Sequence, residues 1–304
     1  MIRKPAPSNQ HPASNPRVRH AVLAIAAALV AGFVLLRPSS GPAPAGVERG
    51  SSTAEASRTL NAEAEAEHAR ENFEGELEIG RRMQALDESL GWLRIPELRA
   101  LAALGRHDEL ARRMESAMSL PVTLSTPEPF SPGDALVQVA RELHARGDTV
   151  LARSYYTRAE AWYDELPDAD LRDPSIGRAL ARIQSAEGRW FEALSTYQGL
   201  LYGDSASSEY WGGLAIAAFR LGDTTTPVSV MKRLRADRTP NRLGAPALWA
   251  ARIAAALGRK EDAVALLREA IRDGYTGLYL LHHEPEFESL RDYAPFRDLL
   301  KPKG

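Results

Sequence analysis

The chain is 304 residues long, 44% hydrophobic and 26% charged, with a formal net charge of -2. A balance this even excludes the broad positive field that nucleic-acid binding rests on, and no RNA-binding, zinc-finger or helix-turn-helix pattern stands out. Cysteine is absent, which removes disulfides, thiolate metal sites, a cysteine nucleophile and the usual lipoprotein acylation site.

The N-terminal stretch carries Arg3, Lys4, Arg17 and Arg19 and no acidic residue, and is read as a basic cytoplasmic segment over 1–19. Residues 21–36 (AVLAIAAALVAGFVLL) follow as an uncharged apolar run. As a helix it spans about 24 Å, close to a bilayer core of about 30 Å, and Arg19, His20 and Arg37 are placed to make up the difference. Residues 20–37 are therefore expected to be a membrane anchor. The charge bias leaves the N-terminus inside and places everything after it in the periplasm or outside the cell, on the inner membrane. A cleaved secretory signal with its site at Ala43-Pro44-Ala45 is the alternative, weakened by the proline and by the distance from Leu36.

Pro38 to Thr53 reads as a Pro/Gly/Ser linker. Ala54 to Leu90 is rich in glutamate, with Leu60, Phe73, Leu77, Met83 and Leu86 on one weak apolar face. The segment is expected to be a solvated helix, with self-association as its other use.

From there the chain repeats. Gly105, Gly147, Gly188, Gly222 and Gly258 are separated by 42, 41, 34 and 36 residues, each where one amphipathic helix should stop and another begin. Five residues after them stand Leu110, Ala152, Ala193, Pro227 and Ala263; nine after, Met114, Tyr156, Tyr197, Met231 and Leu267; twelve after, Ala117, Ala159, Leu200, Leu234 and Ala270. Those offsets share one helical face. Seven and eight before each glycine lie Leu98/Glu97, Ala140/Val139, Ala181/Leu180, Ala215/Leu214 and Ala251/Ala250, small enough in most copies for a close helix crossing. Periods of this length mean stacked helical hairpins, an all-α solenoid of about five pairs over 91–274. The Pro- and Asp-rich stretches Ser119–Pro132 and Leu166–Pro174 are expected to be loops between pairs.

The pattern resembles the tetratricopeptide repeat (TPR), best in Trp211, Leu214, Ala215, Ala218 with Gly222, in Gly188, Ala193, Tyr197, and in Gly258, Ala263, Leu267, Ala270. No copy is complete: Pro227 replaces an alanine, and Glu97 stands where an apolar residue is expected. The segment over 275–304 resembles the closing cap of bacterial TPR proteins through Glu284, Pro285, Phe287, Leu290, Arg291, Pro295, Phe296, Leu299 and Leu300. The family resemblance implies a scaffold whose concave wall is lined by the first helix of each pair, with the position six before the glycine facing inward. That column reads Arg99, Arg141, Arg182, Ile216 and Arg252, four arginines able to fork onto carboxylate or phosphate. His144 and Phe219, three before the glycine, and Trp211 complete the expected groove, with Trp211, Ile216 and Phe219 as an apolar anchor. Exposed helix faces also attract arginine for no functional reason, and 33 of the 38 basic residues are arginine.

No phosphate-binding glycine loop, nucleophile elbow or His-Glu-x-x-His helix occurs, so no enzyme activity, cofactor or metal is expected. His282, His283, Glu284 and Glu286 are metal-ligand types, but Pro285 and the spacing turn the imidazoles apart. The expectation is a membrane-anchored interaction protein that grips an acidic or C-terminal peptide of a protein partner. The rival reading is a structural subunit that oligomerises through 54–90.

Overall fold

The computed structural model describes residues 47–123, 130–167, 173–237, 239, 242–275, 277, 281 and 284–301. The expected anchor over 20–37 and the linker as far as residue 46 lie outside them. Among the described residues there is no strand beyond an isolated antiparallel bridge between Thr123 and Phe130, and no helix is long and apolar enough to cross a membrane.

Helices pack in neighbouring pairs, consistent with an α-solenoid. The five expected pairs are α3 (Ile95–Ala103) with α4 (His107–Met118), α5 (Pro132–Ala145) with α6 (Thr149–Asp164), α7 (Pro174–Ala186) with α8 (Trp190–Gly203), α9 (Ser208–Arg220) with α10 (Thr225–Ala236), and α11 (Ala245–Ala256) with α12 (Lys260–Arg272). The five glycines sit in the five turns, all with φ between 67° and 97°. In every copy the N–H after the glycine donates to the carbonyl five residues back at 2.8–3.0 Å, a left-handed C-cap that a Cβ disfavours. Of the fifteen positions at offsets five, nine and twelve, only Leu200 escapes full burial, so the turn fixes the register of each second helix.

Small residues mark the closest crossings. A Cβ on Gly213 would fall 2.2 Å from the Tyr197 ring and one on Gly212 2.3 Å from the Trp249 ring. Those two glycines on α9 let the aromatic side chains of α8 and α11 meet the helix backbone, joining three successive pairs. The expected loops are present where they are described, α5 and α7 beginning at Pro132 and Pro174 with Ser131 and Asp173 as side-chain caps. Phe130 is fully buried at the end of the first loop, its ring against Gly91.

The segment expected as one solvated helix over 54–90 folds otherwise. It is a sixth pair, α1 (Val47–Ala69) and α2 (Phe73–Gln84), followed by a short 3-10 turn (Gly91–Arg94). Helix α1 also takes in the last part of the expected linker, whose final proline is Pro44. The hinge was hidden because a glutamate stands where the other turns have glycine: Glu71 has φ 58°, and Asn72 N–H reaches the Glu67 carbonyl at 3.0 Å. Leu77, Ile79 and Met83 of α2 are buried. A Cβ on Gly80 would meet the Glu97 backbone at 2.6 Å, so α2 lies directly on α3.

That contact also accounts for Glu97, the off-pattern acid. It is 1% exposed, and its carboxylate is met by Arg113 at 3.2 Å, Arg81 at 3.7 Å and the Gln84 side-chain amide. A buried charge needs such neighbours, and here they tie α2 and α4 to α3.

Replacing Glu71 by glycine should therefore raise stability by about 1 kcal/mol, since relief of the left-handed strain outweighs the added chain entropy and the 4.0 Å Arg146 pair that is lost. Denaturant titration measures it; a loss of stability would mean that the turn is not strained.

Candidate functional site

The arginine column stands at one repeated helical position, six residues before the turn glycine, on α3, α5, α7 and α11. Each of the four arginines meets a carboxylate of this same chain. Arg99 binds Glu76 of α2, its Nε donating at 2.6 Å. Arg182 forks onto Glu209 in the first turn of α9, with Nε at 2.9 Å and Nη2 at 2.6 Å. Arg141 and Arg252, which belong to the second and fifth expected pairs, converge on one atom. Their Nη2 groups lie 2.7 and 2.8 Å from Oε1 of Glu284.

Glu284 enters from the C-terminal segment. Gly274 ends α12 with φ 98°, and the segment continues through a 3-10 turn (Pro285–Leu290) and α13 (Ala294–Leu300). Leu281, Phe287, Leu290 and Phe296 are all fully buried in the core of the last pairs, and the turn packs on α11. The cap thereby brings a glutamate onto Arg141 and Arg252. Since α5 and α11 reach the same carboxylate, the stack curves until pairs far apart in sequence face each other across that segment.

Electrostatics at this centre are strong because water is largely excluded. Burial pushes the Glu284 carboxyl up, but Arg252, Arg141 and Arg182 outweigh it and hold the pKa down at about 2. Glu286 differs. Burial, and the charge of Glu284, push its carboxyl above the usual range despite Arg252, and its Oε2 is buried without a hydrogen-bond partner. Tyr156 on α6 and Tyr275 beside the wall have phenols pushed up to about 12, mainly by burial and against the pull of Arg141 and Arg252. Arg252 also lies over the Trp249 ring at 4.2 Å, a cation–π contact.

A second polar centre lies at the N-terminal end. Glu76 has no exposure; its Oε2 is 2.7 Å from His68 Nδ1 and its other oxygen takes Arg99. His68 Nε2 is 3.5 Å from Glu142 of α5, which in turn accepts from Arg146 Nε at 2.9 Å. Arg146 also covers the Phe73 ring at 4.2 Å. The α1/α2 pair is locked to α3 and α5 through these contacts.

The structure brings Arg141 and Arg252 onto one carboxylate, pairs Arg182 with Glu209 and gives Arg99 to the neighbouring network. The apolar anchor does not assemble there. Ile216 is 6% exposed and belongs to the core. Trp211 turns to the second helices, its indole N–H donating to the Ser205 carbonyl at 2.9 Å under the Arg233 guanidinium. Phe219 is half-buried near the end of α9, and His144 is half-buried near the end of α5.

Sequence reasoning missed Glu76, Glu209 and Glu284 as partners. Glu284 alone carried a signal, as a cap residue, but nothing marked it as facing a position 143 residues away. Among the described residues no cluster of three or more His, Asp or Glu is arranged to hold a metal; His282 and His283 lie outside them.

No protein-family model matches the chain, and no curated protein matches it.

Glu284→Gln should cost about 3–5 kcal/mol at neutral pH, because two arginines lose their buried counter-charge. The pH sign follows from the lowered pKa. The stabilisation is fully present above the unfolded value near 4.5 and is lost as pH falls toward about 2, so wild type should lose more stability than the variant across that window. Denaturant midpoints at graded pH measure it; parallel profiles would contradict it.

Proposed function

We propose that this protein is a TPR-like scaffold, tethered to the inner membrane through residues 20–37 and facing the periplasm, that holds an acidic segment of a partner protein along its inner arginine wall. The single observation carrying the reading is the convergence of Arg141 and Arg252 on one buried glutamate, with Arg182 adding to the field. A wall that holds its own Glu284 at 2.7–2.8 Å has the donors and spacing that a partner's carboxylate needs once the resident one gives way. No catalytic step enters the proposal.

The rival reading, an assembly subunit joined through residues 54–90, is less favoured. Leu60, Ala64, Leu77 and Met83 of that segment are already buried within the chain, leaving little apolar face for a second copy.

Arg182 is the residue to reverse, since its side chain is 36% exposed and its partner Glu209 lies on the wall, whereas reversing Arg141 would break the buried pair with Glu284. With a photo-crosslinking residue at position 144 or 185 of the full-length, membrane-inserted protein, we expect crosslinks to Asp- or Glu-bearing protein segments. Arg182→Glu should reduce their yield at least tenfold while the protein still unfolds cooperatively, at a lowered melting temperature because Glu209 loses its partner. Equal yield from the reversed protein, or crosslinks to lipid alone, would remove the reading.

A further inference from the structure

The glutamate on the arginine wall is part of a short unit with a recognisable shape. Glu284 is extended, Pro285 opens a 3-10 turn, and Phe287, three residues after the carboxylate, is fully buried with its ring 5.7 Å from that of Phe296. A charged group held by paired arginines and a ring seated one turn later is how peptides are commonly recognised: the ion pair sets register and the aromatic supplies apolar area.

The unit fits imperfectly. Of the two carboxylates in this segment, Glu284 takes both arginines, while Oε2 of Glu286 and Nε of Arg252 are buried without hydrogen-bond partners. A polar network left partly unsatisfied is held less firmly than its contact area suggests. The shift of Glu286 above the usual carboxylate range reflects the same mismatch, burial being its main cause. A segment that met the Arg252 Nε as well would fit the wall better.

Resting on the scaffold reading above, we propose that residues 284–290 are a tethered occupant of the arginine wall, standing where a partner's segment of the same chemistry, a glutamate with an aromatic ring three residues after it, docks by displacing them. A tethered occupant competes at a high effective concentration. Apparent affinity for any partner is therefore lowered by the fraction of molecules in which the wall is open. Weakening the resident should strengthen binding in trans.

The probe is a fluorescent peptide of residues 284–292, added to the full chain and read by anisotropy. Glu284→Gln should bind it at least tenfold more tightly than wild type. That gain should vanish when the peptide's own first residue is glutamine, or when Arg141→Gln is added to the protein. Equal binding by wild type and Glu284→Gln would overturn displacement while leaving the scaffold reading in place. No binding by either, with both cooperatively folded, would remove both.

Wild-type protein supplies a test that needs no variant. Excess peptide should raise hydrogen exchange of the amides in 286–290 at least severalfold, and exchange unchanged at saturating peptide would overturn the proposal even if Glu284→Gln fails to fold.

Discussion

A carboxylate moved out of water keeps its charge only where opposite charge surrounds it, and otherwise takes up a proton. Glu284 keeps its charge because two arginines from α5 and α11 point at one of its oxygens and a third from α7 adds to the field. The requirement runs both ways. Arg252 is nearly as buried as its partner and would be costly without it. The curvature of the helical stack, the path of the C-terminal segment and the charge of the inner wall are thus parts of one constraint. The repeats must bend far enough for pairs two and five to share a counter-ion.

The same device is used at the other end. His68, Glu76, Arg99 and Glu142 form a buried polar chain that fastens the N-terminal pair to α3 and α5. Glu97 does the equivalent work between α2, α3 and α4. Exposed pairs such as Arg158 with Glu115, or Arg106 with Glu74, contribute little by comparison, since water screens them. In this molecule apolar layers set the spacing of neighbouring helices, and buried ion pairs set which distant elements meet.

That division explains what the sequence made legible. The five turn glycines were readable because a left-handed C-cap strongly favours glycine, and the offsets counted from them located the buried face of each second helix. The column of arginines was singled out through the resemblance to the tetratricopeptide repeat, counted from the same glycines. The hinge at Glu71 was not, since a glutamate in a glycine's conformation leaves no mark in the pattern. Ile216 and Trp211 show the limit of the periodic reading. One helical wheel assigns a direction, but the burial of Ile216 and the seating of the Trp211 indole on the Ser205 carbonyl beneath Arg233 depend on which neighbours fill the space. Nor does any local rule pair Arg141 with a glutamate 143 residues later.

Sharing of one counter-ion by pairs two and five requires the Arg141–Glu284 contact to be a real energetic link. A double-mutant cycle with Arg141→Gln and Glu284→Gln, followed by chemical denaturation at neutral pH, measures it most directly. The account predicts a coupling of about 1–3 kcal/mol, with the double variant less damaged than the sum of its parts. Additive single losses would contradict it.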